Sequence, residues 1–303
     1  MRSVLLFILT LFCGHLLSAQ KILKDPVYNN INRLTMTYAD TLKTDIYYAP
    51  GSRSVHKSPL VLLVHGGGFY TGKRNGELET AFAMDLAGRG YVVASMEYHL
   101  SRKGKKEGFG CNCPAGEKRE TFRQAVVNID EALDYLLKFS KEFNFDPEKV
   151  ILAGSSAGAE AILHAAYAGN HESFKDIMDN HNSIAAVISF AGALISEVEI
   201  DKVHSVPAFL VHGTDDKLVP YHTAPHHYCG EDAPGYLSLD GSASIAEELK
   251  EHNTPYVFIT AEGGGHEWAN KGYALTDEIS AFLYDLLIRE NAGQVNQTIP
   301  SQP

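Results

Sequence analysis

The chain has 303 residues, of which 45% are hydrophobic, and its formal net charge at pH 7 is −11. That length and apolar fraction provide a sizeable core for one α/β domain. The acidic balance argues against a nucleic-acid partner, because the one basic cluster, Arg102-Lys103-Gly104-Lys105-Lys106, is short and glycine-interrupted and reads as a solvated loop.

Residues 1–19 stand apart from the fold. Arg2 supplies a positive start, Val4 to Phe12 an apolar core, and Leu17-Ser18-Ala19 ends in the small residue that a signal peptidase prefers, so a signal peptide cleaved near Ala19–Gln20 is expected. The expected location is therefore secreted or periplasmic. The apolar run is too short to span a membrane, and no later segment approaches the necessary length. Cys13 would suit a lipoprotein signal only after a small residue, and Phe12 is bulky.

Arg33 to Ala39 alternates apolar and polar residues, and Thr44 to Tyr48 follows a short polar turn, which predicts an antiparallel hairpin at a sheet edge. Leu60 to Val64 is an apolar strand, Glu77 to Arg89 has helical spacing closed by Gly88 and Gly90, and Tyr91 to Tyr98 is the next strand. Ser101 to Lys118 reads as an inserted loop. Phe122, Val126, Ile129, Leu133, Leu136 and Leu137 then share one helical face that packs on the core. Asp146-Pro147 marks a turn before the strand Val150 to Ala153. Further strands are predicted over Ile184–Ala191, Val206–Val211 and Tyr256–Thr260, with helices over Ala243–His252 and Thr276–Arg289. Alternating strand and helix predicts a mostly parallel central sheet with helices on both faces. One domain is expected over residues 20–290, and the polar tail 291–303, which lacks periodicity, is expected to be disordered.

Without the leader three cysteines remain, Cys111, Cys113 and Cys229. Cys111 with Cys113 would close a very small strained ring, so the expected disulfide joins Cys229 to Cys111 or Cys113 and leaves one thiol over. The rival use is metal binding by His222, His226, His227 and Cys229. That stretch is broken by Pro220, Pro225 and Pro234 and lacks paired ligand spacing, so no metal is expected.

The chemistry concentrates at Val150-Ile151-Leu152-Ala153-Gly154-Ser155-Ser156-Ala157-Gly158, a buried strand that runs into G-x-S-x-G and then an alanine-rich helix. Ser156 sits at the turn and is the candidate nucleophile. Alone the pentapeptide is weak, since three fixed positions recur by chance in roughly one chain in ten of this length. Support comes from His65-Gly66-Gly67-Gly68-Phe69 after the strand Leu60–Val64, a glycine run that exposes backbone N–H groups. A base is also needed. Among the later histidines only His266, in Gly263-Gly264-Gly265-His266-Glu267-Trp268, lies shortly after an apolar strand.

Together these motifs resemble the α/β-hydrolase superfamily, in its carboxylesterase/lipase branch with an HGGG oxyanion motif, over about Leu34 to Arg289; secreted esterases of the feruloyl and acetyl-xylan type are similar. The resemblance implies an α/β-hydrolase fold, no cofactor, and a triad in the order serine, acid, histidine. His212-Gly213-Thr214-Asp215-Asp216-Lys217-Leu218-Val219-Pro220 resembles the HGTxDxxVP acid loop, which places the acid on Asp216, with Asp215 as runner-up. It implies an oxyanion hole from the N–H groups of Gly67, Gly68 and Ala157, with Gly66 as a substitute, and a structural His65. The implied activity is hydrolysis of a small acyl or aryl ester, polysaccharide-linked or free, by a carboxylesterase-type serine hydrolase. Two alternatives use the same residues: a serine exopeptidase or amidase, and an inactive hydrolase-like binding protein, against which the complete Ser156, Asp216 and His266 set speaks.

Overall fold

The computed structural model describes residues 22–50, 57–178 and 184–300. The expected signal peptide and its cleavage point lie outside these residues. In chain order the elements are β1 (Asn32–Ala39), β2 (Leu42–Tyr48), β3 (Ser58–Val64), α1 (Glu77–Gly88), β4 (Val92–Met96), α2 (Ala115–Leu137), β5 (Phe145–Ser155) and α3 (Ala157–Tyr167). They continue with β6 (Ile184–Phe190), β7 (Ala193–Ile195), β8 (Ala208–Gly213), β9 (Ala224–Pro225), β10 (Ser238–Gly241), α4 (Ser242–Glu251), β11 (Tyr256–Glu262), α5 (Trp268–Lys271), α6 (Thr276–Leu287) and β12 (Gln294–Pro300).

A nine-stranded sheet runs in the order β1-β2-β4-β3-β5-β6-β8-β11-β12. The predicted hairpin β1–β2 is antiparallel and pairs antiparallel with β4. Every pairing from β4 to β12 is parallel. Parallel strands covered on both faces need apolar side chains at every position, which is why Leu60 to Val64 carries no polar residue. Successive residues point to opposite faces. Leu60, Leu62 and Val64 accordingly pack into one core with Phe122, Ile129 and Leu133 of α2, while Val61 and Leu63 pack into the other with Phe82 and Leu86 of α1 and Leu283 of α6. This is the α/β-hydrolase architecture expected from the sequence.

The connections fix where a ligand can sit. From β3 the chain passes through α1 to β4 on one side, then returns through α2 to β5 on the other, so the strand order reverses across β3. A crevice opens at the carboxyl ends of the strands flanking such a switch point. Val64 of β3 lies opposite Gly154 of β5, so the loops leaving these two strands emerge side by side.

Three expectations need correction. The tail is not without structure: Gln294–Pro300 pairs parallel with β11 from Tyr256↔Gln294 to Glu262↔Pro300. Its side chains are mostly exposed, so it has no hydrophobic period to detect, and backbone pairing holds it. Gln294 Nε2 adds a bond to the Thr254 carbonyl at 3.1 Å. Asp146-Pro147 is no turn but part of β5, at a register shift where Pro59 faces Asp146 and Leu60 faces Val150. A bulge leaves residues outside the ladder, so a proline without an N–H is tolerated there. The loop from Ser101 ends earlier than predicted, because α2 already starts at Ala115. The segment after β8 forms with β7 a small sheet in the order β7-β10-β9.

Candidate active site

Ser156 occupies the sharp turn between β5 and α3 with φ 50° and ψ −122°. A non-glycine residue there is strained and persists only where its surroundings force it. The flanking glycines make the turn possible. A Cβ on Gly154 would lie 2.5 Å from the Gly158 carbonyl oxygen, and one on Gly158 would lie 2.1 Å from the Val64 carbonyl oxygen. Strand, turn and helix therefore close on one another with backbone touching backbone, and the serine hydroxyl is left facing the crevice.

The structure brings Ser156, His266 and Asp216 together. Ser156 Oγ lies 2.8 Å from His266 Nε2, and His266 Nδ1 lies 2.7 Å from Asp216 Oδ2. The three side chains come from the carboxyl ends of β5, β11 and β8. Asp216 is fully buried, and its Oδ1 accepts the backbone N–H groups of Leu218 at 2.8 Å and Val219 at 3.1 Å. Burial alone would raise its pKa, but the rings of His212 and His266 beside it hold the carboxyl well below the usual carboxylate range. Asp215 is exposed, and its carboxylate meets the Thr214 hydroxyl at 3.4 Å. Of the two adjacent carboxylates, it is Asp216 that meets the histidine.

The glycine loop lies against the nucleophile. A Cβ on Gly66 would sit 3.4 Å from Ser156 Cβ. Gly67 and Gly68 have φ of +119° and +59°, and the Gly67 carbonyl accepts the N–H groups of Tyr70 and Thr71 in a tight turn. Ala157 is the first residue of α3, where a backbone N–H has no acceptor within its own helix. His65 supports this loop: its Nδ1 donates to the Gly66 carbonyl at 2.7 Å, and its ring stacks on Tyr98 at 4.5 Å. Burial depresses its pKa.

Cys111 and Cys229 form a disulfide with Cα atoms 5.3 Å apart, across 118 positions of sequence. Cys113 is a free thiol buried in the core with Phe109 and Phe122. The bond ties the loop before α2 to the turn His226–Tyr228, and it engages the one cysteine sulfur of the histidine-rich stretch. Of that stretch's histidines, His226 and His227 line the crevice, whereas His222 packs edge-on against Tyr221. Further along the chain, His252 Nε2 reaches the Ile200 carbonyl at 2.6 Å.

Sequence reasoning passed over two groups. His212 opens the acid loop, and its buried ring puts Nε2 3.3 Å from Asp216 Oδ2 and Nδ1 2.9 Å from Ser242 Oγ. Glu160, one turn beyond Ser156, is 2% exposed and faces the crevice, where burial pushes its carboxyl up to about 8. A carboxylate inside an otherwise alanine-rich helix was the available signal. The crevice is a cavity of about 440 Å³ bounded by Gly66–Gly68, Ser156 and His266, with Phe109, Glu160 and His226 on one side and Ala269 and Asn270 on another.

The BD-FAE family model matches residues 44–199, which include the glycine loop and the candidate nucleophile but not Asp216 or His266. The fold is similar to that of esterase 2 from Thermogutta terrifontis. In its form phosphorylated by paraoxon the identity is 20% and the TM-score 0.58, over 84% of this chain and 94% of that one. In its butyrate-bound form the identity is 18% and the TM-score 0.60, over 84% and 94% of the two chains. In its propionate-bound form the values are 19% and 0.58, over the same shares. At such identities the likeness is one of fold. With a family match over more than half its length, the chain belongs to the BD-FAE family, an α/β-hydrolase esterase family.

Proposed function

We propose that this esterase is a secreted carboxylic-ester hydrolase that works through an acyl-enzyme on Ser156. The observation that carries the reading is the unbroken chain of contacts from Ser156 Oγ through His266 to buried Asp216. His266 Nε2 takes the hydroxyl proton as Oγ bonds to the ester carbonyl carbon. The carbonyl oxygen becomes an oxyanion, held by the N–H groups of Gly67, Gly68 and Ala157, each worth roughly 3–4 kcal/mol in the transition state. Collapse breaks the bond to the alcohol, and His266 returns its proton to that leaving group. Water then repeats the cycle on the acyl-enzyme, releasing the acid and restoring Ser156. Asp216 stays ionised throughout and holds the ring with its Nδ1–H toward the carboxylate.

A cavity of about 440 Å³ suits a short acyl or compact aryl group. Thermogutta terrifontis esterase 2, similar in fold, is described with butyrate and with propionate bound. Tyr70 and Leu218 line this cavity yet stand 52% and 43% exposed, which leaves the alcohol part, small or glycan-linked, free to extend outward. Residues 1–19 as a leader and the Cys111–Cys229 disulfide both support export to an oxidising compartment.

The test is hydrolysis of 4-nitrophenyl esters of increasing acyl length beside the matching anilides. Ser156→Ala should lower kcat by up to ~10⁶-fold. An organophosphate should label Ser156 in a peptide map. Retained turnover in the variant, or label on Ser155, would overturn the assignment, and equal turnover of anilides would make the protein an amidase.

A further inference from the structure

Other buried titratable groups in this half of the molecule have hydrogen-bond partners. His164 Nδ1 donates to the Glu160 carbonyl at 2.7 Å while its Nε2 accepts the Ile195 N–H at 3.1 Å. His212 is bonded at both nitrogens, and Lys118 Nζ donates to the Gly235 carbonyl at 2.7 Å. Glu160 and His226 differ. They are 2% and 1% exposed, yet Glu160 Oε1 and His226 Nδ1 have no hydrogen-bond partner among the described residues. Glu160 Oε1 and His226 Nε2 lie 3.3 Å apart but are misaligned for a bond of their own. Leaving a buried carboxyl oxygen such as Glu160 Oε1 unsatisfied costs about 1–3 kcal/mol, so its place on the wall of the reaction cavity, beside His226 Nε2, calls for an explanation.

We propose that Glu160 and His226 form a subsite that takes a hydroxyl group carried by the ester substrate; this rests on the acyl-enzyme reading above. Two polar atoms 3.3 Å apart are spaced so that one oxygen can lie within hydrogen-bond reach of both, donating to one and accepting from the other. A hydroxyl is the neutral group that does both. The Glu160 N–H is bonded to the Ser156 carbonyl, one helical turn or about 6 Å along α3, so the hydroxyl lies a few bonds from the reacting carbonyl. Charged substituents fit poorly. A carboxylate would enter beside Asp216, and an ammonium would enter beside Lys118, both of which act electrostatically on Glu160. Burial also favours the uncharged form of both groups, pushing the Glu160 carboxyl up and the His226 ring well down. The subsite is held from behind: Phe109 packs edge-on against His226 at 5.1 Å, and the Cys111–Cys229 disulfide follows both residues closely in sequence.

The experiment compares propyl butyrate, propyl 3-hydroxybutyrate and 3-hydroxypropyl butyrate by proton release. One hydroxylated ester should exceed propyl butyrate in kcat/KM by ~10-fold or more. A preference for propyl 3-hydroxybutyrate places the hydroxyl on the acyl side, and one for 3-hydroxypropyl butyrate places it on the alcohol side. In Glu160→Leu and His226→Phe that ratio should fall to about 1, while Glu160→Gln should keep part of it. A purely structural pair would lower the melting temperature without moving the ratio, and that result overturns the proposal. Equal turnover of all three esters by the unaltered protein overturns the subsite alone, and decides the matter even if a variant fails to fold. Turnover of none overturns the acyl-enzyme reading and the subsite with it.

Discussion

His212 and His266 approach the same atom, Asp216 Oδ2, at 3.3 Å and 2.7 Å. One carboxylate thus serves two rings from opposite roles. His266 connects it to the serine, while His212, anchored on Ser242 and the Val219 carbonyl, holds it from the core side.

Asp216→Asn should therefore lower kcat by about 10⁴-fold with KM little changed, because an amide that donates toward His266 favours the wrong ring tautomer. Asp215→Asn, at an exposed position, should stay within a few-fold of the parent. His212→Gln should fall between the two. Steady-state kinetics on one short-chain ester check all three, and a larger loss at Asp215 than at Asp216 would reverse the assignment.

Stability should pass through a maximum between mildly acidic and neutral pH. Burial pushes His164 down to about 4 from an unfolded value near 6.5, so the unfolded chain binds the extra proton and stability is lost as pH falls through that window. Burial pushes Glu160 up to about 8 from near 4.5, with Lys118 acting against and Asp216 adding to it. Here the folded state holds the proton, so stability is lost as pH rises from about 4.5 to 8, by about 1.4 kcal/mol per unit and a few kcal/mol in all. Glu160→Gln should flatten the alkaline limb and steepen the acid limb, because between about pH 4.5 and 6.5 the Glu160 slope offsets that of His164. Denaturant melts from pH 4 to pH 9 read this directly, and an unchanged alkaline slope in the variant would contradict it.

The Cys111–Cys229 disulfide closes 118 positions of chain, for which loop entropy gives up to about 4–5 kcal/mol. Cys111→Ser with Cys229→Ser should lower the melting temperature, and should raise KM before kcat, because the bond braces the cavity wall at His226 and His227 rather than the triad. In unfolded, unreduced protein lacking residues 1–19, one thiol, Cys113, should react with an alkylating agent. Three reactive thiols would exclude the bond.

What the sequence disclosed followed from local physics. The runs at Leu60–Val64 and Val150–Ala153 are apolar at every position because both faces of those strands are buried, and each ends in glycines that the close approach of β3, β5 and α3 requires. These features fix the crevice and its serine. The choice between Asp215 and Asp216 came from the family pattern, since two adjacent carboxylates differ only in which way the turn points them. Cys111 rather than Cys113 as the partner of Cys229 depended on packing, as Cys113 turns into the core. β12 leaves no hydrophobic period, because its side chains are mostly exposed. Glu160 stands out as a carboxylate in an alanine-rich helix, but its neighbour His226 comes from a distant part of the chain and the pairing leaves no local mark.

The edge position of β12 bears on how the protein can be handled. β11 is seven residues long, from Tyr256 to Glu262, and β12 occupies its outer side over that whole length. Stripped of this cover, it would present a long row of open N–H and C=O groups at a parallel edge, a template on which a second molecule can add its own strand. A truncation at Asn291 should therefore yield chains that hydrolyse esters while dilute and associate on concentration, with light scattering rising well before activity falls.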